Sequence, residues 1–255
     1  METPLSLVII TKNAEELLDK CLESVKGLVD EIVLVDDYST DKTLEIAIKH
    51  SCRIYLRRDK DLGKQKAYGL KKAKNNWILF LDADEILSPA LKKEISTILV
   101  KKAQLQGLSF NVAYRIPYQN HFMGRPINYG GEDYKMIRLF KKEYAISRPS
   151  LVHEKVEIKK GKTGNLKNKI LHNSYRSLGQ VYRKFTDYAF REAYRKIENG
   201  EKTSFKKLTL YPLHMFWARF VEDQGYRDGF FRIPLDLGFA YMEFLTYFLM
   251  LFKRK

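Results

Sequence analysis

Trp77-Ile78-Leu79-Phe80-Leu81-Asp82-Ala83-Asp84-Glu85 is the stretch that decides the fold. Five consecutive apolar residues, aromatic and branched, predict a strand buried on both faces, the kind found in parallel sheets. Three carboxylates follow where that strand should end. Residues two apart on a strand point to one side, so Asp82 and Asp84 are expected to face a common site. Two anions held so close repel each other, and a divalent cation with oxygen ligands relieves the repulsion. In an open α/β sheet, ligands bind beyond the carboxyl ends of the strands, where these acids stand. The competing explanation is acid enrichment in the first turn of a helix. Ser88-Pro89, a cap and first-turn pair, starts that helix a few residues later and leaves the three acids unexplained by capping.

The pattern extends on both sides of this strand. Leu5 to Thr11 and Glu31 to Val35 read as buried strands, and Ser51 to Leu56 as a third. Helices are expected from Asn13, as a cap, over about 14–26, from Ser39 or Thr40 to about Lys49, and from Lys64 to Lys74. Strands alternating with helices imply a mostly parallel sheet with right-handed crossovers. The spacing suits a nucleotide-binding α/β domain, yet the first strand is not followed by G-x-G-x-x-G or G-x-x-x-x-G-K-[ST]. The usual phosphate cradles of dinucleotide and P-loop domains are therefore missing. Asp36-Asp37 close the second strand, where a carboxylate can accept hydrogen bonds from a base or ribose, or cap the next helix.

Composition sets further bounds. The chain has 255 residues, 45% of them hydrophobic, and two cysteines, Cys21 and Cys52, without metal-ligand spacing. Buried thiols in a reducing compartment are expected rather than a disulfide. No secretory signal is legible at Met1-Glu2-Thr3-Pro4. Charge is uneven: residues 1–100 carry 16 Lys+Arg against 17 Asp+Glu, whereas residues 101–255 carry 30 against 14, a net of +16. Such an excess attracts polyanions: nucleic acid, an anionic membrane face or a phosphorylated substrate. The basic residues are dispersed and no nucleic-acid motif is legible, so nucleic acid is not the expected partner.

Three blocks in order, Val8-Ile9-Ile10-Thr11-Lys12-Asn13, Val35-Asp36-Asp37-Tyr38-Ser39-Thr40-Asp41-Lys42-Thr43, and Gly63-Lys64 through Asp82-Ala83-Asp84-Glu85, resemble the family-2 glycosyltransferases of GT-A fold. The resemblance covers about residues 4–175. Arg138-Leu139-Phe140, Val152-His153-Glu154 and Asp228-Gly229 make the chain most similar to the short enzymes related to lipopolysaccharide core β-glucosyltransferases. This implies an inverting, metal-dependent transfer of a sugar from a nucleotide-sugar donor, a UDP-hexose, to a hydroxyl of a cell-envelope glycan or lipid-linked saccharide. Thr11 and Asp37 match positions that hold the base, Lys64 a basic position near the donor, and Asp82 and Asp84 the Asp-x-Asp motif for ribose and Mg²⁺ or Mn²⁺. For the catalytic base, Asp133 in Gly130-Gly131-Glu132-Asp133 and Glu154 in His153-Glu154 both qualify. A catalytically silent basic binding protein and a nucleotidyltransferase remain the alternatives.

Two domains are expected: residues 1–175 as the GT-A α/β domain and 176–255 as a helical, basic extension. Residues 178–198 have amphipathic helical spacing, and Pro212 and Pro234 are expected to punctuate the segment after them. Residues 237–252 are apolar apart from Glu243 and precede Lys253-Arg254-Lys255. Sixteen helical residues span about 24 Å, short of the ~30 Å hydrocarbon core. This helix is expected to pack on the domain or lie in a membrane interface, giving a cytoplasmic protein peripheral to the inner face of an anionic membrane.

Overall fold

A computed structural model describes residues 3–59, 61–104, 111–147 and 156–252. In chain order the elements are β1 (Leu5–Thr11), α1 (Leu18–Val25), β2 (Glu31–Asp36), α2 (Thr43–Lys49), β3 (Arg53–Leu56), α3 (Leu62–Lys72), β4 (Trp77–Asp82), β5 (Glu85–Leu87), α4 (Pro89–Gln104), β6 (Ala113–Phe122), β7 (Arg125–Pro126), β8 (Lys135–Lys141), β9 (Ala145–Ser147), β10 (Val156–Ile158), β11 (Thr163–Asn165), β12 (Ile170–Tyr175), α5 (Leu178–Glu198), α6 (Phe205–Trp217) and α7 (Ile233–Phe252). They divide into two compact units, residues 1–118 with 135–172, and residues 119–134 with 173–255. The second unit thus takes in the excursion 119–134 as well as the C-terminal helices.

In the first unit the mostly parallel α/β sheet expected from the sequence is present. Strands run in the order β3-β2-β1-β4-β8-β6, the first four parallel and β8 antiparallel to both neighbours. Trp77 through Leu81 are all buried, as an inner strand demands. The register sets Thr11 beside Asp36 and Ile10 beside Asp82, so the polar strand ends fall on one edge. Helix α3 lies against this sheet through Gly69: a Cβ there would sit 2.6 Å from Val8 Cγ1 and 3.1 Å from Val35 Cγ2. Ser88 caps α4 as expected, its Oγ accepting from Leu91 N at 3.2 Å.

Helix α1 begins later than the sequence suggests. Asn13 has φ 50° and is not its cap; the Asn13 side chain instead accepts from Thr40 N at 2.9 Å, and Ala14 N donates to Thr43 Oγ1 at 2.7 Å. The start of the expected helix is spent on stapling two loops together.

In the second unit, Ser177 caps α5, which buries Val181, Phe185, Ala189 and Ala193 at four-residue spacing. Pro234 marks a helix start as expected, whereas Pro212 does not break its helix. Pro212 lies inside α6, and Pro234 is the second residue of α7, where its missing N–H would have had no partner. Helix α7 therefore has 20 residues rather than sixteen, about 30 Å. By length and composition the stretch Phe230–Phe252 could cross a membrane. One side of α7 is nevertheless committed to protein, burying Leu235, Asp236, Gly238, Thr246, Tyr247 and Met250.

The close approach at Gly69 gives a test. Gly69→Ala should lower the unfolding free energy by about 1–3 kcal/mol, the usual cost of an extra methyl in a packed contact. Gly179→Ala, in open space on α5, should be neutral or slightly stabilising. Urea unfolding of both variants checks the difference.

Candidate active site

The site is built at the ends of the parallel strands. Asp82 closes β4, and its carboxylate lies between two cations: Lys66 Nζ from α3 at 2.6 Å on Oδ1, and Arg138 Nη2 from β8 at 2.9 Å on Oδ2. Lys66 is completely buried. Arg138 Nη2 also donates to Glu85 Oε1 at 2.8 Å, and Arg138 Nε donates to Tyr118 Oη. The Tyr118 hydroxyl in turn donates to Glu85 Oε1 at 3.0 Å, and Glu85 Oε2 accepts from Asp82 N at 3.0 Å. Two carboxylates and two cations thus form a closed, hydrogen-bonded cluster. Burial would raise the Asp82 carboxyl, but Lys66 and Arg138 overcome it and hold that carboxyl far below its ordinary range. Burial wins at Glu85, which is raised despite Arg138.

Asp84 lies beyond the strand, in the turn before β5, so it does not share the strand face of Asp82 as the i, i+2 spacing suggests. Its Oδ2 is 3.4 Å from His172 Nε2 on β12, and both side chains are partly exposed. A carboxylate oxygen beside an imidazole nitrogen is a donor pair that Mn²⁺ accepts readily and Mg²⁺ accepts with added water. The Asp82 oxygens are already taken by cations, so Asp84 and His172 fit a divalent ion better than Asp82 does. Among the described residues, no group of three or more His, Cys, Asp or Glu side chains gathers as a self-sufficient metal centre. A ligand would have to complete the coordination.

At the second strand, Thr11 Oγ1 donates to Asp36 Oδ2 at 2.9 Å, and Ser39 donates to the same carboxylate through N at 2.7 Å and Oγ at 2.6 Å. Asp36 is therefore the structural cap of this loop. Asp37 is the member left for a ligand. It pairs with Lys12 Nζ at 2.7 Å, while its buried Oδ1 has no hydrogen bond among the described residues and lies 3.5 Å from Arg58 Nε. Lys64 is exposed in the first turn of α3, and the buried Lys66 two residues later is the lysine that reaches the acids.

In the second unit, Gly130 and Gly131 both have positive φ, and they carry the Glu132-Asp133 pair. Glu132 is buried, accepting from Asn120 Nδ2 at 2.6 Å and from Arg219 Nη2. Asp133 is exposed, with no hydrogen bond or ion pair on its carboxylate among the described residues. Arg232, wholly buried, spends its five N–H groups on Tyr129 O, Gly130 O, Asp228 and both oxygens of Asp236. A Cβ on Gly130 would collide with that guanidinium. Glu154 lies outside the described residues. Sequence reasoning missed His172 and the inward role of Glu132; a lone histidine on a strand carries no spacing signal, and Glu132 looks interchangeable with Asp133.

Residues 6–153 match the family described as glycosyl transferase family 2, and the chain belongs to that family. A relative from Rickettsia typhi, the uncharacterized glycosyltransferase RT0209, is 30% identical over 252 residues, covering 94% of this chain and 84% of its own. The lipopolysaccharide core biosynthesis glycosyltransferase LpsC of Rhizobium meliloti is 29% identical over 250 residues, covering 95% and 90% respectively. Among solved structures, S. aureus TarS 1-349 in complex with UDP has a TM-score of 0.47 at 15% identity, covering 96% of this chain and 89% of that one.

The cluster around Asp82 predicts a pH-dependent stability effect. Lys66→Met should cost about 1–3 kcal/mol at pH 7, because it strips one of two cations from a partly exposed carboxylate that keeps Arg138. A depressed carboxyl contributes stability above its unfolded-state value, about 3.9, and loses it on acidification. The gap between wild type and variant should therefore narrow as pH falls through that range, which urea midpoints at neutral and acid pH will show.

Proposed function

We propose that this glycosyltransferase moves a hexose from UDP to a hydroxyl of a lipopolysaccharide-core or related cell-envelope saccharide, with inversion at the anomeric carbon. The pairing of Asp84 with His172, one residue beyond the clamped Asp82-Ala83, carries the donor half of this reading. Asp37, whose Oδ1 makes no hydrogen bond among the described residues, is suited to accept from an N–H such as the uracil imide, and Thr11 holds the adjoining strand end. Lys66 and Arg138 leave Asp82 locked, with a fixed remaining lone-pair direction for a ribose hydroxyl. A Mg²⁺ or Mn²⁺ ion held by Asp84 and His172 would neutralise the departing diphosphate. The likeness to LpsC supports the acceptor class.

Asp133 is the proposed base. Its exposed, untethered carboxylate takes the proton from the acceptor hydroxyl as that oxygen attacks C1, and the C1–O bond breaks with its electron pair leaving on the diphosphate. Glu132, fastened to Arg219 and Asn120, is held away from that role.

Calorimetric titration with UDP-sugars in the presence of Mn²⁺ tests the donor half. Saturable binding is expected, weakened about 10–100-fold by Asp84→Asn and by His172→Ala; affinity that ignores both substitutions removes the metal assignment. Asp133→Asn should lower transfer by about two to four orders of magnitude while donor affinity holds. A normal rate in that variant, with Glu154→Gln inactive, moves the base to Glu154.

A further inference from the structure

The most unusual surface in the second unit is its pair of C-terminal helices. Helix α6 has apolar side chains along most of its length and buries none of its thirteen residues. Leu210, Leu213 and Trp217 stand at i, i+3, i+7 and are all exposed. Helix α7 repeats the pattern with Phe244, Phe248 and Leu251 at i, i+4, i+7, opposite the side that buries Leu235, Thr246 and Met250. A stable soluble surface seldom leaves two such stripes on neighbouring helices uncovered.

Charge identifies what covers them. Thr203 Oγ1 donates to Tyr247 O at 3.4 Å, and Tyr211 meets the Tyr247 ring edge to face at 5.5 Å, so the start of α6 lies beside the last turns of α7. That same end carries exposed Lys202 and Lys206, with Lys207 sharing Glu201 at 3.6 Å. In the sequence, Lys253-Arg254-Lys255 follow α7 directly. Exposed aromatic and leucine stripes beside exposed Lys202 and Lys206 match the boundary between acyl chains and anionic headgroups. The buried Asp236, paired with Arg232 and Arg219, keeps α7 fastened to its own unit and opposes a spanning role.

We infer that α6 and α7 form an interfacial platform that seats the chain on an anionic lipid bilayer. This platform is independent of the donor and acceptor assignments above, since donor binding is measurable without lipid.

Only two tryptophans exist, and Trp77 is 2% exposed, so Trp217 reports alone on this surface. With vesicles of phosphatidylcholine mixed with phosphatidylglycerol, Trp217 emission should shift to the blue and be quenched by brominated acyl chains. Vesicles of phosphatidylcholine alone should bind far more weakly, and rising ionic strength should release the protein. The double variant Phe244→Ser/Phe248→Ser should lose about tenfold or more in vesicle affinity, and Lys202→Gln/Lys206→Gln should lose the preference for the anionic lipid. Unchanged circular dichroism and urea midpoints in these variants certify that they remain folded. The proposal is overturned if Trp217 is indifferent to anionic vesicles, or if sedimentation shows a stable dimer in which Trp217 is already shielded from aqueous quenchers.

Discussion

Asp82 between Lys66 and Arg138 is the interaction on which the first unit turns. A carboxylate at the end of an inner strand has lost much of its water, and only charge-assisted bonds from both sides keep it ionised there. Those bonds come from α3 and β8, so the same contacts that stabilise the charge fix a helix and an antiparallel strand against β4. Glu85 and Tyr118 then close the cluster, giving Arg138 a second carboxylate and a phenol. With Lys66 wholly buried and Arg138 nearly so, neither cation can swing away to water. The result is a preset arrangement in which Asp82 cannot itself chelate strongly. Asp84, past the strand end, stays outside this cluster, with His172 Nε2 3.4 Å from its Oδ2.

The second unit uses the same device for a different purpose. The 128–132 loop has its backbone taken up by side chains from the segment around α7: Asp228 accepts from Asn128 N and Tyr129 N, and Arg232 donates to the carbonyls of Tyr129 and Gly130. Gly130 N adds a bond to Asp223 O. Glycines at 130 and 131 permit the left-handed backbone that this wrapping needs. A loop held at this many points presents Asp133 from a rigid base while leaving its carboxylate in solvent. The base proposed at this position would therefore need little reordering at the moment of reaction.

Much of this was legible in the residues. Buried strands betray themselves by unbroken apolar runs, and Leu5–Thr11 and Trp77–Asp82 fall where those runs predict. The edge position of the acids followed from the parallel order. What sequence spacing could not supply was direction. The i, i+2 argument for Asp82 and Asp84 assumes the strand continues, but it stops at Asp82 and the turn sends the two carboxylates to different partners. Asn13 has the chemistry of a cap, yet its backbone is left-handed and its side chain holds a neighbouring loop instead. Pro212 reads as a breaker because Pro removes a helix hydrogen bond, and only tertiary packing against α7 reveals that α6 carries on to Trp217. His172 reaches Asp84 from another strand far along the chain, a separation over which no local pattern operates.

The surplus of positive charge also takes on a definite form. Inside the second unit, the buried cations are matched: Arg219 faces Glu132 and Asp236, and Arg232 faces Asp228 and Asp236. Buried pairs of this kind cancel and contribute little to the outer field. The excess therefore resides on side chains at the surface, where screening is strong and only a dense anionic partner gains from it. The proposed diphosphate donor is one such partner, but it is small and can meet only a few of these charges. A lipid surface is extended and can use dispersed lysines collectively while also covering exposed phenylalanine and leucine. On the proposed lipid-facing reading, the same surface would confine the search for a lipid-linked acceptor to two dimensions.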